Sequence, residues 1–461
     1  MILSNGHAVK EYKELLFSKD ARLCFLGIGG VSMHALAHFC LRRGVYVFGA
    51  DRTASARTRF LESLGVRVFV PQAGAAVESA SAVICTLALD AEDADLVRAK
   101  QKNIPILTRG ELLGALMEEY SLSVAISGTH GKSTVTAMLA SVLTAAGRNP
   151  SVLSGAALSE TDACYRMGGM EYLVAEACEY GDSFLSLRPS VSLFLNLEWD
   201  HPDYFKNEEA LMRSFARAAM GSGVVLYSAA SPLLSALIER YGIKNALSVG
   251  CDADCDYRYE ILSDENGYVA LRFDDSREEP CTVKLSVPGR FQAQNAAMVL
   301  AAASYLGVRP LAAVQALSRF SGIERRLFCI GTYERIPLYY DYAHHPTEIR
   351  ASIETLRQMH GTPITVLFRP HTFSRTAALF ADFASALSLA DRVFVTDIDG
   401  ARETGGAVSA QALATAARGI YVPLEQAISI VRASEDVTVL MGAGDLSYVL
   451  AALTEAQEKN S

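Results

Sequence analysis

The chain has 461 residues, of which 50% are hydrophobic and 20% are charged, and its formal net charge is −9. This length favours about three domains over a single core. The acidic balance argues against a nucleic-acid partner, because phosphate backbones bind clustered Lys and Arg, and no apolar run is long enough to span a bilayer. The first residues lack a secretory apolar core, so we expect a cytoplasmic protein without a membrane partner. We expect a monomer or a homodimer.

The nine cysteines are scattered through the sequence. Cys251 and Cys255 are the closest pair, and neither a second cysteine pair nor a histidine cluster joins them. We therefore expect reduced thiols, many of them in cores, and not a zinc site.

The first hundred residues alternate apolar runs typical of strands with apolar residues at helical spacing. Alternation of this kind predicts a parallel sheet with helical crossovers. A second strand–loop–helix unit follows, and its helix ends near Gly147, before Asn149 and Pro150. The predicted strands of this half are 22–26, 45–50, 82–85, 104–107, 123–126 and 191–195, and the predicted helices are 31–43, 91–102 and a helix from about 132.

The pattern changes after residue 250. Alternation of apolar and polar residues at 257–262 and 268–273 predicts antiparallel strands, and an alanine-rich helix is predicted at 295–306. A third α/β unit begins near Phe328, with predicted strands at 338–340, 364–368, 392–396 and 437–441. The sequence therefore predicts an α/β protein with domain boundaries near residues 119 and 326.

A glycine-rich turn follows the first strand and opens the first helix. Glycines in such a turn let backbone N–H groups approach a pyrophosphate, and Asp51 lies where a ribose-binding carboxylate is expected. A serine replaces the third glycine of the dinucleotide pattern, so the turn predicts a pyrophosphate ligand, of which NAD is one candidate. A tight turn without a ligand is the alternative. The turn consists of Gly27, Ile28, Gly29, Gly30, Val31 and Ser32.

A second loop resembles a shortened P-loop, because Ile126 stands where the strict pattern has its first glycine. Small residues expose backbone N–H groups to phosphate oxygens at a helix N-terminus. Lys132 adds positive charge for the β- and γ-phosphates, and the Ser133 hydroxyl can join a Mg²⁺ shell. A solvated glycine turn is the weaker interpretation, since a strand precedes the loop and a helix follows it. The loop consists of Gly128, Thr129, His130, Gly131, Lys132, Ser133 and Thr134.

Two polar segments follow later strands, at residues 174–179 and 196–203. Hard cations prefer the carboxylates of these segments, while His201 could ligate a second ion or contact phosphate. Charged loops without a ligand are the alternative. That alternative loses weight because ligands bind at the carboxyl ends of strands in open α/β sheets.

Together these segments resemble the Mur ligase family. The resemblance covers nearly the whole chain and implies three domains: a Rossmann-like UDP-sugar-binding domain at 1–118, a central P-loop-type ATP-binding α/β domain with a small antiparallel sheet at 119–326, and a Rossmann-like ligase domain at 327–461. The matching stretches, in the family's order, are GIGGVSM at Gly27, GTHGKST at Gly128, EACEYGDSFL at Glu176, NLEWDHPDYF at Asn196, GIERR at Gly322, DYAHHPTEI at Asp341 and FRPHTFSRT at Phe368.

The resemblance implies a ligation in peptidoglycan precursor synthesis that uses ATP and Mg²⁺. The carboxylate of UDP-N-acetylmuramate would attack the γ-phosphate, and L-alanine would then attack the acyl phosphate. The implied catalytic residues are Lys132, Glu176, His201 and Arg326, and the implied metal ligands are Ser133, Glu176 and His201. ATP would contact the phosphate loop, Asn295, Arg325, Arg326 and Asp341. The glycine turn and Asp51 would bind the UDP sugar, and the amino acid would contact His344, His345, His371 and Arg375.

The chain departs from the family at its usual His-Asn-x-x-Asn. Phe291 and Gln292 replace the first pair, whereas Asn295 is retained. Gln can form the same amide hydrogen bonds from a longer arm. We therefore expect the Phe291–Gln292 replacement to affect the contacts with the adenine of ATP.

Three alternatives stay open on the sequence. A related ligase could attach a peptide or an amino acid other than alanine. A nicotinamide oxidoreductase would use the glycine turn but leaves Lys132 unexplained. A non-catalytic nucleotide-binding protein would leave Lys132, Glu176, His201 and Arg326 unexplained.

Overall fold

The structure is a computed structural model that divides into two compact units. The first comprises the described residues of Met1–Leu197 and Leu211–Ser248, and the second those of Glu198–Ala210 and Val249–Ser461. Among the described residues, none of the helices combines the length and apolar character needed to cross a membrane. The described residues are 15–86, 89–158, 163–333, 335–401 and 403–444, with 446, 449 and 452.

The first unit begins with a five-stranded parallel sheet in the order β3-β2-β1-β4-β5. Side chains such as Leu26 and Val83 form a core on one face of it. Ser55 and Thr108 each begin a helix with a capping box, which satisfies the first backbone N–H groups. The strands are β1 Arg22–Leu26, β2 Tyr46–Ala50, β3 Arg67–Phe69, β4 Ala82–Cys85 and β5 Ile106–Thr108, and the helices are Val31–Arg42, Ala56–Ser63, Ala94–Gln101 and Arg109–Met117, with a 3₁₀ turn at Ala76–Ser79.

A second set of strands in this unit runs in the order β11-β10-β6-β9-β7-β8. All neighbours in this set are parallel except β7 and β8, which form an antiparallel hairpin. The strands are β6 Leu122–Ser127, β7 Ser151–Leu158, β8 Ala163–Arg166, β9 Tyr172–Glu176, β10 Val191–Phe194 and β11 Val224–Ser228. The helices are Lys132–Ala145, Glu208–Met220, which extends into the second unit, and Pro232–Tyr241, with a 3₁₀ turn at Tyr180–Ser186.

The second unit contains an antiparallel group in which β14 pairs with both β13 and β15. Apolar and polar residues alternate along β15, and the apolar ones are buried, as expected for a sheet with one covered face. The strands are β12 Ala246–Gly250, which begins in the first unit, β13 Tyr257–Glu265, β14 Tyr268–Asp274 and β15 Cys281–Pro288, and the helices are Phe291–Tyr305 and Pro310–Leu317.

The same unit ends in a six-stranded sheet in the order β16-β17-β21-β18-β19-β20, antiparallel at β16–β17 and parallel elsewhere. Val366 and Leu367 belong to two different cores, so both faces of the sheet are buried, as parallel sheets require. The strands are β16 Phe328–Tyr333, β17 Ile336–Asp341, β18 Ile364–Phe368, β19 Arg392–Val395, β20 Ile420–Tyr421 and β21 Val437–Met441. The helices are Pro346–His360, Phe373–Ala378, Phe380–Leu387, Ala410–Ala416 and Ala427–Arg432, with a 3₁₀ turn at Leu424–Gln426.

The predicted α/β class, with mostly parallel sheets and a small antiparallel group, is confirmed. The predicted boundaries of the three domains stay predictions. Two helices differ clearly from their predicted bounds: the helix predicted at 91–102 spans Ala94–Gln101, and the alanine-rich helix begins at Phe291, four residues before the predicted start at Asn295. The departure from the family pattern therefore lies on the first turn of a helix.

Candidate active site

The glycine turn is closed by hydrogen bonds to the end of β2. Gly27 N–H donates to the carbonyl of Ala50 at 2.8 Å, and Gly29 N–H donates to Asp51 Oδ2 at 2.8 Å. A Cβ at Gly29 would lie 2.9 Å from that carboxylate oxygen, so glycine is needed for the close approach. Asp51 and the glycine turn are therefore in contact. The helix that follows the turn begins at Val31.

The phosphate loop joins β6 to the helix Lys132–Ala145. Gly128 and Gly131 have φ of 144° and 82°, a region that favours glycine. Asn196 holds the loop from the next strand: its Oδ1 accepts from His130 N–H at 2.7 Å, and its Nδ2 donates to the His130 carbonyl at 3.1 Å. The positive φ of the two glycines and the two hydrogen bonds of Asn196 together fix the start of the helix. Helix N-termini are positions where anions bind.

Lys132 lies under this loop, with its side chain 18% exposed. Its Nζ donates to the Gly128 carbonyl at 2.5 Å and to both carboxylate oxygens of Glu179 at 3.1 and 3.2 Å. Burial alone would lower the pKa of Lys132, but the acidic groups around it, with the Glu179 carboxylate first among them, together outweigh that effect and the pKa is raised. Lys132 is therefore a charged group at the helix start, as a phosphate ligand needs.

Glu179 is a functional candidate that the sequence analysis did not single out. Its side chain is 4% exposed and faces Lys132. The loop that carries it is fixed by Ala177, whose N–H donates to the Ile126 carbonyl and whose carbonyl accepts from Ser127 Oγ. A second carboxylate three residues after Glu176 was the available signal, although the sequence does not say which one faces the lysine.

Glu176 ends β9 beside the hairpin strand β7. Its Oε1 accepts hydrogen bonds from Ser154 Oγ and from the N–H of Gly155. A Cβ at Gly155 would meet Glu176 Oε2 at 2.8 Å and Ser133 Oγ at 3.3 Å. The two predicted metal ligands of this unit therefore face the same α-carbon, and their oxygen donors suit a hard cation.

The remaining predicted site residues belong to the second unit. Asn295, on the helix Phe291–Tyr305, donates from Nδ2 to Gln292 Oε1 at 2.9 Å, and both side chains are buried. Gln292 thus supplies an amide partner at the position of the family's asparagine, while Phe291 is 38% exposed.

Arg325 and Arg326 lie between the antiparallel group and β16. The Arg325 guanidinium stacks over Tyr340, and that of Arg326 stacks over Tyr342. Arg326 Nη1 also contacts Glu348 Oε1 at 3.4 Å. Aromatic stacking leaves the planar donors of a guanidinium partly available, which suits phosphate recognition.

Asp341 is buried beside that pair, and His344 is partly buried, with its side chain 17% exposed. Asp341 accepts from Ala343 N–H at 3.3 Å and from the hydroxyl of Ser352, and burial raises its pKa. His344 Nδ1 lies 3.3 Å from Glu348 Oε2, and burial lowers its pKa to about 3. Both groups are already bonded within the protein. A carboxylate has further lone pairs, and the contact of Asp341 with a ribose stays a prediction.

Arg375 is held by a buried bidentate ion pair. Its Nε and Nη2 donate to the two carboxylate oxygens of Asp200 at 2.7 and 3.1 Å, with both side chains 5–6% exposed. Its Nη1 lies 3.4 Å from His371 Nδ1, and its Nη2 lies 3.5 Å from His201 Nδ1. Arg375, His371 and His201 therefore form one cluster, but Asp200 occupies the fork predicted for a substrate carboxylate.

His345 caps the helix Pro346–His360. Its Nδ1 accepts from Thr347 N–H at 3.4 Å and lies 3.5 Å from Glu198 Oε2. Of the adjacent histidines, His345 thus has a structural role at the helix start. Its place among the amino-acid ligands stays a prediction, as do the other assigned roles in binding and catalysis.

Three sequence models match the chain: the Mur ligase family catalytic domain at residues 22–121, the Mur ligase middle domain at 126–303, and the Mur ligase glutamate ligase domain at 325–444. The UDP-N-acetylmuramate–L-alanine ligase of Caldicellulosiruptor bescii is 38% identical over 383 residues, which are 82% of this chain and 84% of that protein. The chain belongs to the Mur ligase family. The family resemblance of its motifs is thereby confirmed.

Other relatives support the same membership. The UDP-N-acetylmuramate–L-alanine ligase of Agathobacter rectalis is 34% identical over 448 residues, covering 93% of this chain and 97% of that protein. The crystal structure of UDP-N-acetylmuramate–alanine ligase from Thermotoga maritima matches with a TM-score of 0.79 and 26% identity, over 95% of this Mur ligase and 100% of that chain. A murein peptide ligase from Psychrobacter arcticus matches with a TM-score of 0.71 but 22% identity, covering 95% and 98%, and shows the shared fold alone.

Proposed function

We propose that this Mur ligase joins L-alanine to the carboxylate of UDP-N-acetylmuramate, converting ATP to ADP and phosphate. The observation that carries the proposal is the partly buried, charged ammonium of Lys132 at the start of the helix that follows the phosphate loop. Relatives that are 38% and 34% identical over 82% and 93% of the chain are named for this reaction. The glycine turn with Asp51 supports the UDP end of the substrate.

In the first step a muramate carboxylate oxygen attacks the γ-phosphorus in line, the bond to the β-γ bridging oxygen breaks, and ADP leaves. Such transfer depends on positioning and charge neutralisation more than on a protein base. The backbone N–H groups at Lys132 and Ser133 orient the phosphates, and the Lys132 ammonium offsets their charge. Glu179 holds that ammonium in place through both of its carboxylate oxygens.

Ser133 and Glu176 are the residues that would hold Mg²⁺ in this unit. Their oxygens both face Gly155, where any side chain would intrude, and a hydroxyl and a carboxylate are ligands that Mg²⁺ accepts alongside phosphate and water. When bound, the ion would neutralise charge on the phosphate oxygens. His201 stays a candidate for a second ion or a phosphate contact.

In the second step the amine nitrogen of L-alanine attacks the acyl carbon, phosphate leaves, and the amine gives up a proton. Burial and the Arg375 guanidinium lower the pKa of His371, so its imidazole is neutral at pH 7 and able to accept that proton. The neighbouring His344 is neutral for the same reason of burial. Both histidines lie in motifs that the family resemblance assigns to binding of the amino acid, and their neutral imidazoles support that role.

An ADP-release assay tests the proposal. The protein is incubated with ATP, Mg²⁺ and UDP-N-acetylmuramate, and single amino acids or a tripeptide are added in turn. L-alanine should give the fastest release, and the product mass should equal that of the sugar nucleotide plus alanine minus water. Release with a tripeptide but not with L-alanine would instead identify a peptide-adding ligase, and ATP binding without turnover of any acceptor would favour a non-catalytic protein.

A further inference from the structure

The 3₁₀ turn Tyr180–Ser186 directly follows Glu179, whose carboxylate binds Lys132 in the phosphate loop. Gly181 and Asp182 have φ of 64° and 55°, in the left-handed region that residues other than glycine adopt rarely. The N–H of Asp182 donates to the Glu179 carbonyl at 3.0 Å. The left-handed residues therefore close the turn onto the residue that holds Lys132, and none of the predicted site residues lies in this turn.

The helix Glu208–Met220 anchors the turn through Asp182. The hydroxyl of Ser214 donates to Asp182 Oδ1, and Arg217 Nη1 lies 3.7 Å from Asp182 Oδ2. Ser214 is 4% exposed, whereas the side chain of Arg217 is 67% exposed. Because exposed ion pairs contribute little, the hydrogen bond from Ser214 is the main contact that keeps Asp182 in its unusual conformation.

A second helix, Arg109–Met117, packs against the later residues of the same turn. Gly110 and Gly114 are four residues apart and so share one face of this helix. A Cβ at Gly110 would lie 2.7 Å from the Ser183 carbonyl oxygen, and a Cβ at Gly114 would overlap the carbonyl of Ser186. These obstacles are backbone atoms, which cannot rotate away as a side chain can. The turn is therefore held by contacts with two helices of the same unit.

Glu179 passes this constraint on to the phosphate loop. Its two carboxylate oxygens accept from Lys132 Nζ at 3.1 and 3.2 Å, and its side chain is 4% exposed. A displaced backbone at Glu179 would thus move the group that orients the ammonium, and small misplacements of such groups are costly. Resting on the proposed role of Lys132 in ATP binding, we propose that Asp182 and Ser214 are positioning residues. They act on the affinity for ATP through Glu179 and Lys132.

A double-mutant cycle on ATP binding tests this proposal. Calorimetric titration with ATP and Mg²⁺ is carried out on the unmodified protein, on Ser214→Ala, on Glu179→Gln and on the double variant. Ser214→Ala should raise the Kd of ATP by about three- to tenfold, but by less than about twofold when Glu179 is already replaced. Ser222→Ala is the control. Ser222 follows the same helix, is 7% exposed, and bonds to Ser192 and to the Ala218 carbonyl, so its loss should leave the Kd within about twofold.

Asp182 gives the second arm, which decides the same question if Ser214→Ala is too unstable to titrate. Asp182→Ala removes the acceptor of the Ser214 hydroxyl and should raise the Kd of ATP. Asp182→Asn should recover most of the affinity, because an amide oxygen accepts the same hydrogen bond and asparagine tolerates the left-handed region. Equal affinities in these two variants would overturn the proposal.

The cycle can overturn the proposal in three further ways: additive effects of Ser214→Ala and Glu179→Gln, an unchanged Kd in Ser214→Ala, or an equal rise in Ser222→Ala. Failure of the proposed function is a different result. A protein that binds ATP but releases no ADP with any acceptor would refute the ligation, whereas the cycle needs no acceptor and still supports or overturns the role of the turn.

Discussion

The buried pair of Asp200 and Arg375 gives the sharpest stability prediction. Two short hydrogen bonds join side chains that are 5–6% exposed, so Asp200→Asn leaves a guanidinium buried without its counter-charge. Breaking such a pair costs about 3–5 kcal/mol. With an m value of about 3 kcal/mol/M, the urea midpoint should fall by about 1 M or more.

The assay uses the one tryptophan of the chain. Trp199 precedes Asp200 and packs against the core of the C-terminal sheet, so its fluorescence reports unfolding of the second unit. Arg258→Ala is the control, because the pair of Arg258 and Asp274 is 3.1 Å long but 48% and 25% exposed, and exposed pairs contribute about 0–1 kcal/mol. Equal losses in the two variants would refute the reasoning.

The direction of the Asp200 pKa shift determines how the contribution of this ion pair to stability depends on pH. Burial alone would raise the pKa of Asp200, but the Arg375 guanidinium, together with His201 and His344, outweighs that effect and the pKa is lowered. A lowered carboxyl pKa stabilises the fold fully above the unfolded value of about 3.9 and progressively less as the pH falls below it. The difference between the unmodified protein and Asp200→Asn should therefore be constant from about pH 5 to pH 8 and shrink below about pH 4.

Further predictions concern the phosphate loop. Lys132→Ala should lower ADP release by about a hundred- to a thousandfold with an unchanged urea midpoint in the second unit; turnover near that of the unmodified protein would contradict its role. Glu179→Gln keeps an acceptor but removes the charge beside Lys132, so kcat/KM for ATP should fall by about ten- to a hundredfold, a change that a merely structural carboxylate would not produce without loss of stability. Gly155→Ala places a methyl group 2.8 Å from a Glu176 oxygen, and the Mg²⁺ concentration for half-maximal turnover should rise; an unchanged value would argue against Glu176 as the ligand.

Local sequence patterns predicted most of the fold because the relevant forces act within short segments. The strand at 22–26 and the helix after the phosphate loop follow from apolar spacing and glycine punctuation. The contact of Asp51 with the glycine turn was predictable since both follow adjacent parallel strands. The short strands β8 and β20 carry too few residues for a recognisable alternation, and the hairpin β7–β8 was not predicted.

The ion pairs that the sequence did not predict join residues that are far apart in the chain. Lys132 and Glu179 are 47 residues apart, and Arg375 and Asp200 are 175 apart. At such separations the fold determines which carboxylate pairs with a given cation, because several carboxylates in the same segment carry the required charge. The family motif predicts Arg375 as a site residue, but its ion pair with Asp200 is visible only in three dimensions.

The hairpin β7–β8 has one more consequence. Gly155 on its first strand abuts the Glu176 carboxylate, and Tyr165 on its second strand lines a cavity of about 580 Å³ whose wall also includes His34 and Arg57. A single pair of strands therefore contacts both a predicted metal ligand and this cavity. If a ligand at one of these places shifts the hairpin and so changes the affinity for a ligand at the other, linkage requires the reverse effect by the same factor.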